Sequence, residues 1–144
     1  MRESTVCKEV MTTEPVCCFP NESAETAAQL MKLEDVGCIP VVADEDSYEL
    51  IGILTDRDLA VEVVAAGLDP SHVRVSEIMK ANPHACREDE DVIKVLETMS
   101  AFQIRRVPVI DRHKRVVGII AQRDIATRLN NRELTGAVVE RISR

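Results

Sequence analysis

The sequence has few aromatic side chains, and this scarcity limits what the protein can bind. Phe, Trp and Tyr make up 2% of the 144 residues, and Trp is absent. Proteins that bind single-stranded nucleic acid stack its bases on such rings. The formal net charge of −7 also opposes binding to nucleic-acid phosphates and to anionic membranes. We therefore expect partners that are neither nucleic acid nor membrane.

Long apolar runs, a secretory leader and paired cysteine motifs are missing as well. No stretch approaches the roughly 20 apolar residues that cross a bilayer, and the first ten residues include four charged side chains. The five cysteines are odd in number and lack CxxC spacing, which is typical of reduced core cysteines rather than of a disulfide framework. These features predict a cytoplasmic protein. A redox or metal sensor that uses Cys17, Cys18 or Cys86 is the weakest alternative.

Sequence motifs of common enzymes are not found either. The sequence has no P-loop, no nucleophile elbow and no HExxH. His72, His84 and His113 lie in loop-like segments without a second His at helical spacing, so we expect them to be exposed rather than bound to a metal. An acidic turn at residues 44–49 is more typical of a solvated hairpin than of a cation site. We predict that the protein is not an enzyme and requires no cofactor or metal.

What the sequence does contain is the same pattern twice. Met11 and Met79 lie 68 residues apart, and Gly52 and Gly118 lie 66 apart. The same two spacings relate Pro15 to Pro83, Cys18 to Cys86, Met31 to Met99, Pro40 to Pro108 and Asp58 to Asp124. The change of spacing falls in charged turns, where length changes cost little. The chain is therefore predicted to consist of two copies of one unit.

Each copy is predicted to contain the same short elements. They are, in the first and second copy, a helical lead-in at 7–11 and 75–79, a short strand near 16–19 and 84–86, and a strand pair at 38–42 with 50–54 and at 107–110 with 116–120. The helix before each strand pair is predicted to have its N-cap at Asn21 or Asp89 and to bury one apolar face. After residue 130, apolar residues at helical spacing predict a C-terminal helix.

These elements predict an α+β fold. A unit of about 60 residues cannot bury both faces of its small sheet alone, so two pseudo-twofold β-α-β-β-α repeats should pack through their sheets. The predicted divisions are 1–67 for the first repeat, 68–74 for a linker, 75–130 for the second repeat and 131–144 for the C-terminal helix. Symmetry would place two helix starts, after Thr55 and after Ala121, near one cleft between the repeats. The remaining apolar helix surface suggests a homodimer.

The segment Gly52-Ile53-Leu54-Thr55-Asp56-Arg57-Asp58 is the strongest candidate for a site. An apolar strand pattern ends at Thr55, where a helical pattern begins. Thr55 and Asp58 have the spacing of a capping box, which would explain both residues structurally. The Arg57 guanidinium can also hold phosphate. A hydroxyl, a carboxylate and an arginine at one helix start suit a phosphate and a ribose diol together.

The repeated motifs resemble a known family. V-M-x-x-x-P, then I-P-V-V or V-P-V-I, then G-I-L-T-D-R-D or G-I-I-A-Q-R-D resemble a pair of CBS domains, the Bateman module, over residues 8–129. The segments LTDRD, AAGLDP and RRVPVI are similar to small stand-alone bacterial CBS-pair proteins of the hypoxic-response type. The resemblance implies binding of adenosine derivatives such as AMP, ADP, ATP or S-adenosylmethionine.

The resemblance also implies roles for individual residues. In the first site, Asp58 would bind the ribose hydroxyls, and Thr55 would contact phosphate with Arg57 nearby. Backbone of Gly37, Cys38, Ile39, Pro40, Val16 and Cys17 would line the base.

A second, weaker site is expected at Asp124, Arg123, Gln122, Arg106, Val107 and Pro108. It is weaker because Ala121 replaces the hydroxyl residue. Arg105 and Arg106 either direct their guanidinium groups into the cleft or form a solvated strand edge.

Two functions follow as hypotheses. The first is a non-enzymatic regulatory module that binds an adenosine-derived nucleotide in the cleft between the repeats and signals to an unknown protein effector by conformational change. The alternative is a structural or protein-interaction dimer module without a physiological nucleotide, in which Thr55 and Asp58 only cap a helix.

Overall fold

The computed structural model describes residues 5–129, which form two compact units. Within that range, the first unit comprises residues 15–83 and 114–116, and the second comprises 5–14, 84–113 and 117–129. Short helices and small sheets alternate in both, so the predicted α+β class is confirmed. The predicted C-terminal helix lies outside the described residues.

The elements follow the predicted order closely. In chain order they are α1 (Cys7–Val10), β1 (Thr12–Thr13), α2 (Ala24–Glu34), β2 (Cys38–Val42), β3 (Leu50–Thr55), α3 (Asp56–Leu59) with a π-helical continuation (Ala60–Val64), a 3-10 turn (Pro70–His72), α4 (Val75–Ile78), β4 (Lys80–Ala81), β5 (Cys86–Arg87), α5 (Val92–Phe102), β6 (Arg106–Ile110), β7 (Val116–Ala121) and α6 (Gln122–Leu129).

The first unit is built on a three-stranded antiparallel sheet in the order β2-β3-β4. Every residue of β2 is buried, and the core that covers it includes Ala27 and Met31 of α2. The strand predicted near residues 16–19 is reduced to one parallel bridge between Cys18 and Val41.

The second unit repeats this arrangement with a four-stranded sheet in the order β1-β7-β6-β5. The parallel pairing of Cys86 with Val109 corresponds to the Cys18 bridge of the first unit. Leu96 and Met99 of α5 pack in its core, as the apolar spacing of that helix predicts.

The lead-in segments are exchanged relative to the sequence repeats. α1 and β1 pack in the second unit, and α4 and β4 pack in the first. In each unit the lead-in methionine packs against a repeated glycine: a Cβ on Gly52 would lie 2.5 Å from the Met79 sulfur, and one on Gly118 would lie 2.6 Å from the Met11 sulfur. Each glycine therefore allows a lead-in methionine to approach the strand, a relationship that the sequence analysis did not predict.

The helix N-caps were predicted wrongly, two residues too early. Ser23 caps α2 and Asp91 caps α5, in place of Asn21 and Asp89. The glutamate between the predicted and observed caps has another role: Glu22 accepts the backbone N–H of the residue three positions earlier at 2.8 Å. The corresponding glutamate in the second repeat does the same at 3.0 Å. Because of these turns, each helix begins after the next cap residue in the sequence, Ser23 or Asp91.

Candidate functional site

The junction of β3 and α3 is closed by reciprocal hydrogen bonds between Thr55 and Asp58. The Asp58 backbone N–H donates to Thr55 Oγ1 at 3.2 Å, and the Thr55 N–H donates to Asp58 Oδ2 at 2.9 Å. The predicted capping box is therefore confirmed. Such a cap is worth about 1 kcal/mol of stability, so both residues have a structural role.

The Asp58 carboxylate is buried and has a second partner from β4. Asp58 is 6% exposed, and its Oδ1 accepts a hydrogen bond from Lys80 Nζ at 2.8 Å. A carboxylate offers about four lone-pair positions, so two hydrogen bonds leave acceptor capacity unused. The sequence analysis missed Lys80 because its segment was assigned to the other repeat.

Backbone of the β2 start lies directly beside this junction. Cys38 pairs with Thr55 in the β2–β3 register, and the Gly37 carbonyl accepts the Asp56 N–H at 2.9 Å. A side chain on Gly37 would meet the Asp56 carboxylate, with its Cβ 2.8 Å from Oδ2. The structure thus brings the first part of the predicted base-lining backbone next to the motif.

The rest of the predicted lining follows β2 along its other edge. Ile39 and Pro40 are buried in β2, and the Pro40 carbonyl accepts the Cys18 N–H at 3.1 Å. This hydrogen bond holds the preceding residues, Val16 and Cys17, beside that edge. The residues predicted for the first site therefore all lie in the first unit, on both sides of one strand.

A cavity of about 360 Å³ adjoins Asp58. Its volume is within the range of small-molecule pockets, roughly 300–1,000 Å³. Arg57 and Lys80 contribute positive charge to its wall, while Glu62 and Glu77 contribute negative charge. Thr55 and residues 16–17 and 37–40 are not among its lining residues, so Arg57 and Asp58 are the parts of the predicted first site that line this cavity.

The second unit has the same backbone junction but lacks the threonine and the lysine of the first. The Gln122 N–H donates to the Arg105 carbonyl at 2.9 Å, as Asp56 does to Gly37 in the first unit. Ala121, however, offers no hydroxyl, and Thr12 takes the place of Lys80. Both side-chain partners of Asp58 are therefore missing around Asp124.

Gln122 gives the second junction a feature of its own. The residue is 8% exposed, and its Nε2 has no hydrogen-bond partner among residues 5–129. An unmet buried donor costs about 1–3 kcal/mol. Val107 and Pro108 of the predicted second site are buried in β6, Arg106 is half-buried, and Arg123 is exposed.

The predicted exposure of the histidines is confirmed, and Cys17 and Cys18 of the first unit are poorly reactive. His72, His84 and His113 are all exposed. Burial raises the pKa of Cys17 to about 11 and that of Cys18 to about 12, which keeps both thiols protonated. Among residues 5–129, no group of three or more His, Cys, Asp or Glu side chains is arranged to hold a metal ion. No helix within that range is long and apolar enough to cross a membrane.

Comparison with known sequences identifies relatives over nearly the whole chain. The CBS domain model matches residues 7–65 and 75–131. Hypoxic response protein 1 of Mycobacterium tuberculosis is 36% identical over 125 residues, which cover 87% of this chain and 85% of that protein. The CBS domain-containing protein YhcV of Bacillus subtilis is 37% identical over 140 residues, covering 94% of both chains.

Solved structures that resemble this protein come from the same group of relatives. A crystal structure of hypoxic response protein I with two coordinated zinc ions has a TM-score of 0.77 and 35% identity, and the match covers 85% of this chain and 98% of that one. The CBS domain pair of protein MJ0100, in complex with 5′-methylthioadenosine and S-adenosyl-L-methionine, has a TM-score of 0.79 and 31% identity, covering 91% and 100%. The resemblance predicted from the motifs is confirmed: the chain belongs to the CBS domain family, with two CBS domains in tandem.

Proposed function

We propose that the protein is a non-enzymatic regulatory module that binds an adenosine derivative at the Thr55–Asp58 junction. The observation that carries this proposal is the buried Asp58 carboxylate, which keeps unused acceptor positions beside a cavity. A related CBS domain pair, 31% identical, was crystallised with two adenosine compounds. A ribose diol supplies the two hydroxyl donors that this carboxylate can accept.

The remaining polar groups suit a phosphate next to the ribose. The Thr55 oxygen accepts the Asp58 N–H, so its hydroxyl hydrogen is free to donate to a phosphate oxygen. Arg57 and Lys80 on the cavity wall can each bind a phosphate oxygen. Asp58, Glu62 and Glu77 on the same wall offset their charge, so adenosine derivatives of either charge are candidates. Backbone of residues 37–40 and 16–17 is proposed to line the adenine.

The second site, at Asp124, is proposed to bind the same ligand class more weakly. Ala121 removes the hydroxyl that would contact phosphate. A hydrogen bond to a charged group contributes about 1.5–3 kcal/mol, so its loss weakens binding roughly ten- to hundredfold. Gln122, with its unpaired amide donor, and Arg123 offset part of this loss.

Ligand binding is proposed to act on a protein effector or on a homodimer through a conformational change. A ligand shifts such an equilibrium only by the difference between its affinities for the two states. The signal that the module transmits is therefore limited by how differently the two states present Asp58 and Thr55.

Titration calorimetry with AMP, ADP, ATP and adenosine tests the proposal. Asp58→Asn preserves the size of the side chain and one acceptor oxygen, and we expect it to weaken binding of the tightest ligand roughly ten- to hundredfold. Asp124→Asn is the matched control in the other repeat and should have a smaller effect. Equal affinities of wild type and Asp58→Asn would reject the proposed site.

A specific observation favours a second candidate function, a protein-interaction module without a nucleotide. Leu33, Val64 and Leu68 are large exposed apolar side chains of the first unit, and the capping box accounts for Thr55 and Asp58 without any ligand. This candidate predicts that none of the adenosine compounds binds, while Leu33→Lys or Val64→Lys disrupts self-association in sedimentation experiments.

A further inference from the structure

Two buried thiols lie side by side in the second unit. The Sγ atoms of Cys7 and Cys86 are 3.6 Å apart, and the two residues are 0% and 4% exposed. A disulfide brings its sulfurs to about 2.05 Å, so closing the bond requires an approach of about 1.5 Å.

Backbone hydrogen bonds hold the two segments together at this point. The Cys7 N–H donates to the Glu90 carbonyl, and the Lys8 N–H donates to the Glu88 carbonyl, both at 2.9 Å. The first turn of α1 is therefore fastened to the turn that follows β5. Cys7 and Cys86 are neighbours in the folded unit although they are 79 residues apart in sequence.

The two thiols are chemically unequal. The side-chain hydrogen bond between the two thiols lowers the pKa of Cys7, and the same interaction, together with burial, raises the pKa of Cys86. Cys7 is therefore the thiol that ionises first. A thiol whose pKa is the lower of a pair, beside a second thiol, is the arrangement in which oxidation of the first is followed by resolution to a disulfide.

The other repeat contains the same position without a partner thiol. Cys18 corresponds to Cys86, but the residue that corresponds to Cys7 is Val75. Cys18 and Val75 pack in one core of the first unit, and burial raises the pKa of Cys18 to about 12. The chain thus provides its own comparison between a paired and an unpaired cysteine in equivalent surroundings.

We propose that Cys7 and Cys86 form a reversible disulfide when the protein is exposed to a peroxide. The Cys7 thiolate attacks one peroxide oxygen, becomes a sulfenic acid and releases hydroxide, which takes up the proton that Cys7 lost. The Cys86 sulfur then attacks the sulfenic sulfur, the S–S bond forms, and a second water leaves with the Cys86 proton. Two thiols are oxidised by two electrons, and one peroxide is reduced to two waters.

The bond would fasten the lead-in of the second unit covalently. α1 continues into β1, whose Thr12 and Thr13 pair with Ile119 and Gly118 of β7. Oxidation therefore stabilises β1, the edge strand of this sheet. Its neighbour β7 continues into α6. This site is independent of the proposed nucleotide site, which lies in the first unit.

The test uses the full chain treated with hydrogen peroxide and then alkylated under denaturing conditions. We expect the intact mass to fall by two hydrogens before alkylation, and three of the five cysteines rather than all five to be alkylated afterwards. We also expect a linked peptide pair containing Cys7 and Cys86, and a rise of about 5–15 °C in the unfolding midpoint of the oxidised chain. Dithiothreitol should reverse all of these changes. Cys7→Ser should abolish the linked pair, whereas Cys18→Ser should leave it unchanged.

Two results would overturn the proposal. One is a wild-type chain in which Cys7 and Cys86 stay alkylatable after peroxide treatment, including treatment in mild denaturant that opens α1. The other is a metal ion found on the two sulfurs by native mass spectrometry, because a bound metal would make the pair a ligand site instead. Peptide mapping of the wild-type chain shows whether Cys7 and Cys86 are linked, even if Cys7→Ser fails to fold.

Discussion

Lys80 Nζ donates to Asp58 Oδ1 at 2.8 Å across 22 residues of sequence. The same carboxylate closes the capping box through its other oxygen. The lysine comes from β4, the strand that follows the exchanged lead-in α4. The group proposed to bind ribose is thus held in place from two sides before any ligand arrives, which reduces the ordering that binding requires.

Replacement of Lys80 by methionine tests whether this cation contributes to ligand binding. Lys80→Met keeps the length of the side chain and removes its charge, so we expect AMP affinity to fall about 3- to 10-fold and adenosine affinity to change little. Calorimetry at two salt concentrations measures both, with Lys94→Met on the exposed face of α5 as control. Tighter binding of both compounds would instead mean that Lys80 blocks Asp58.

The capping box should contribute to stability independently of ligand. Thr55→Ala removes the side-chain acceptor of the Asp58 N–H, and we expect a loss of about 1 kcal/mol in the free energy of unfolding by urea. Thr55→Ser is the matched control, because it keeps the hydroxyl, and it should retain most of the wild-type stability. Ala121→Thr should give α6 a cap and a gain of similar or smaller size. An unchanged stability in Thr55→Ala would show that the cap is not formed in solution.

The sequence predicted the elements better than it predicted their packing. The spacing of apolar residues and the positions of the turns located both helix–strand–strand units. One apolar face repeats at helical spacing in each helix, and charged turns separate the strands. Repetition with the motif G-I-L-T-D-R-D was sufficient to identify the family.

The exchange of the lead-ins was not predictable from those signals, since Met11 and Met79 have the same local pattern whichever unit they enter. Lys80 was missed for the same reason. The N-caps were displaced because Asn, Ser and Asp cap about equally well, and a local turn at Glu22 decided between them.

The close approach of Met79 to Gly52 predicts a steric cost. A Cβ at position 52 would lie 2.5 Å from the methionine sulfur and 3.1 Å from the Lys80 carbonyl oxygen. We expect Gly52→Ala to destabilise the protein by about 1–3 kcal/mol. A double-mutant cycle with Met79→Ala should show coupling, because the smaller side chain leaves room for the added methyl. Additive effects of the two substitutions would mean that the contact is not formed.

The buried thiol of Cys18 predicts loss of stability at alkaline pH. Its pKa is raised from 9.0 to about 12 in the folded protein, mainly by burial. Between these values the unfolded chain loses the proton while the folded chain keeps it, so stability falls as the pH rises. Urea unfolding from pH 8 to about 11 should show a shallower decline in Cys18→Ala than in wild type. Parallel curves would show that burial does not raise the pKa of Cys18.

Thermal unfolding of the purified protein against a panel of adenosine compounds tests the central claim most directly. A ligand present at 100 times its dissociation constant stabilises the folded state by about 2.7 kcal/mol, or roughly 5–10 °C for a chain of this size. We predict such a shift with a phosphorylated adenosine, and its loss in Asp58→Asn. A flat panel, with the protein shown to be free of bound nucleotide beforehand, would contradict the proposed function and favour the protein-interaction module.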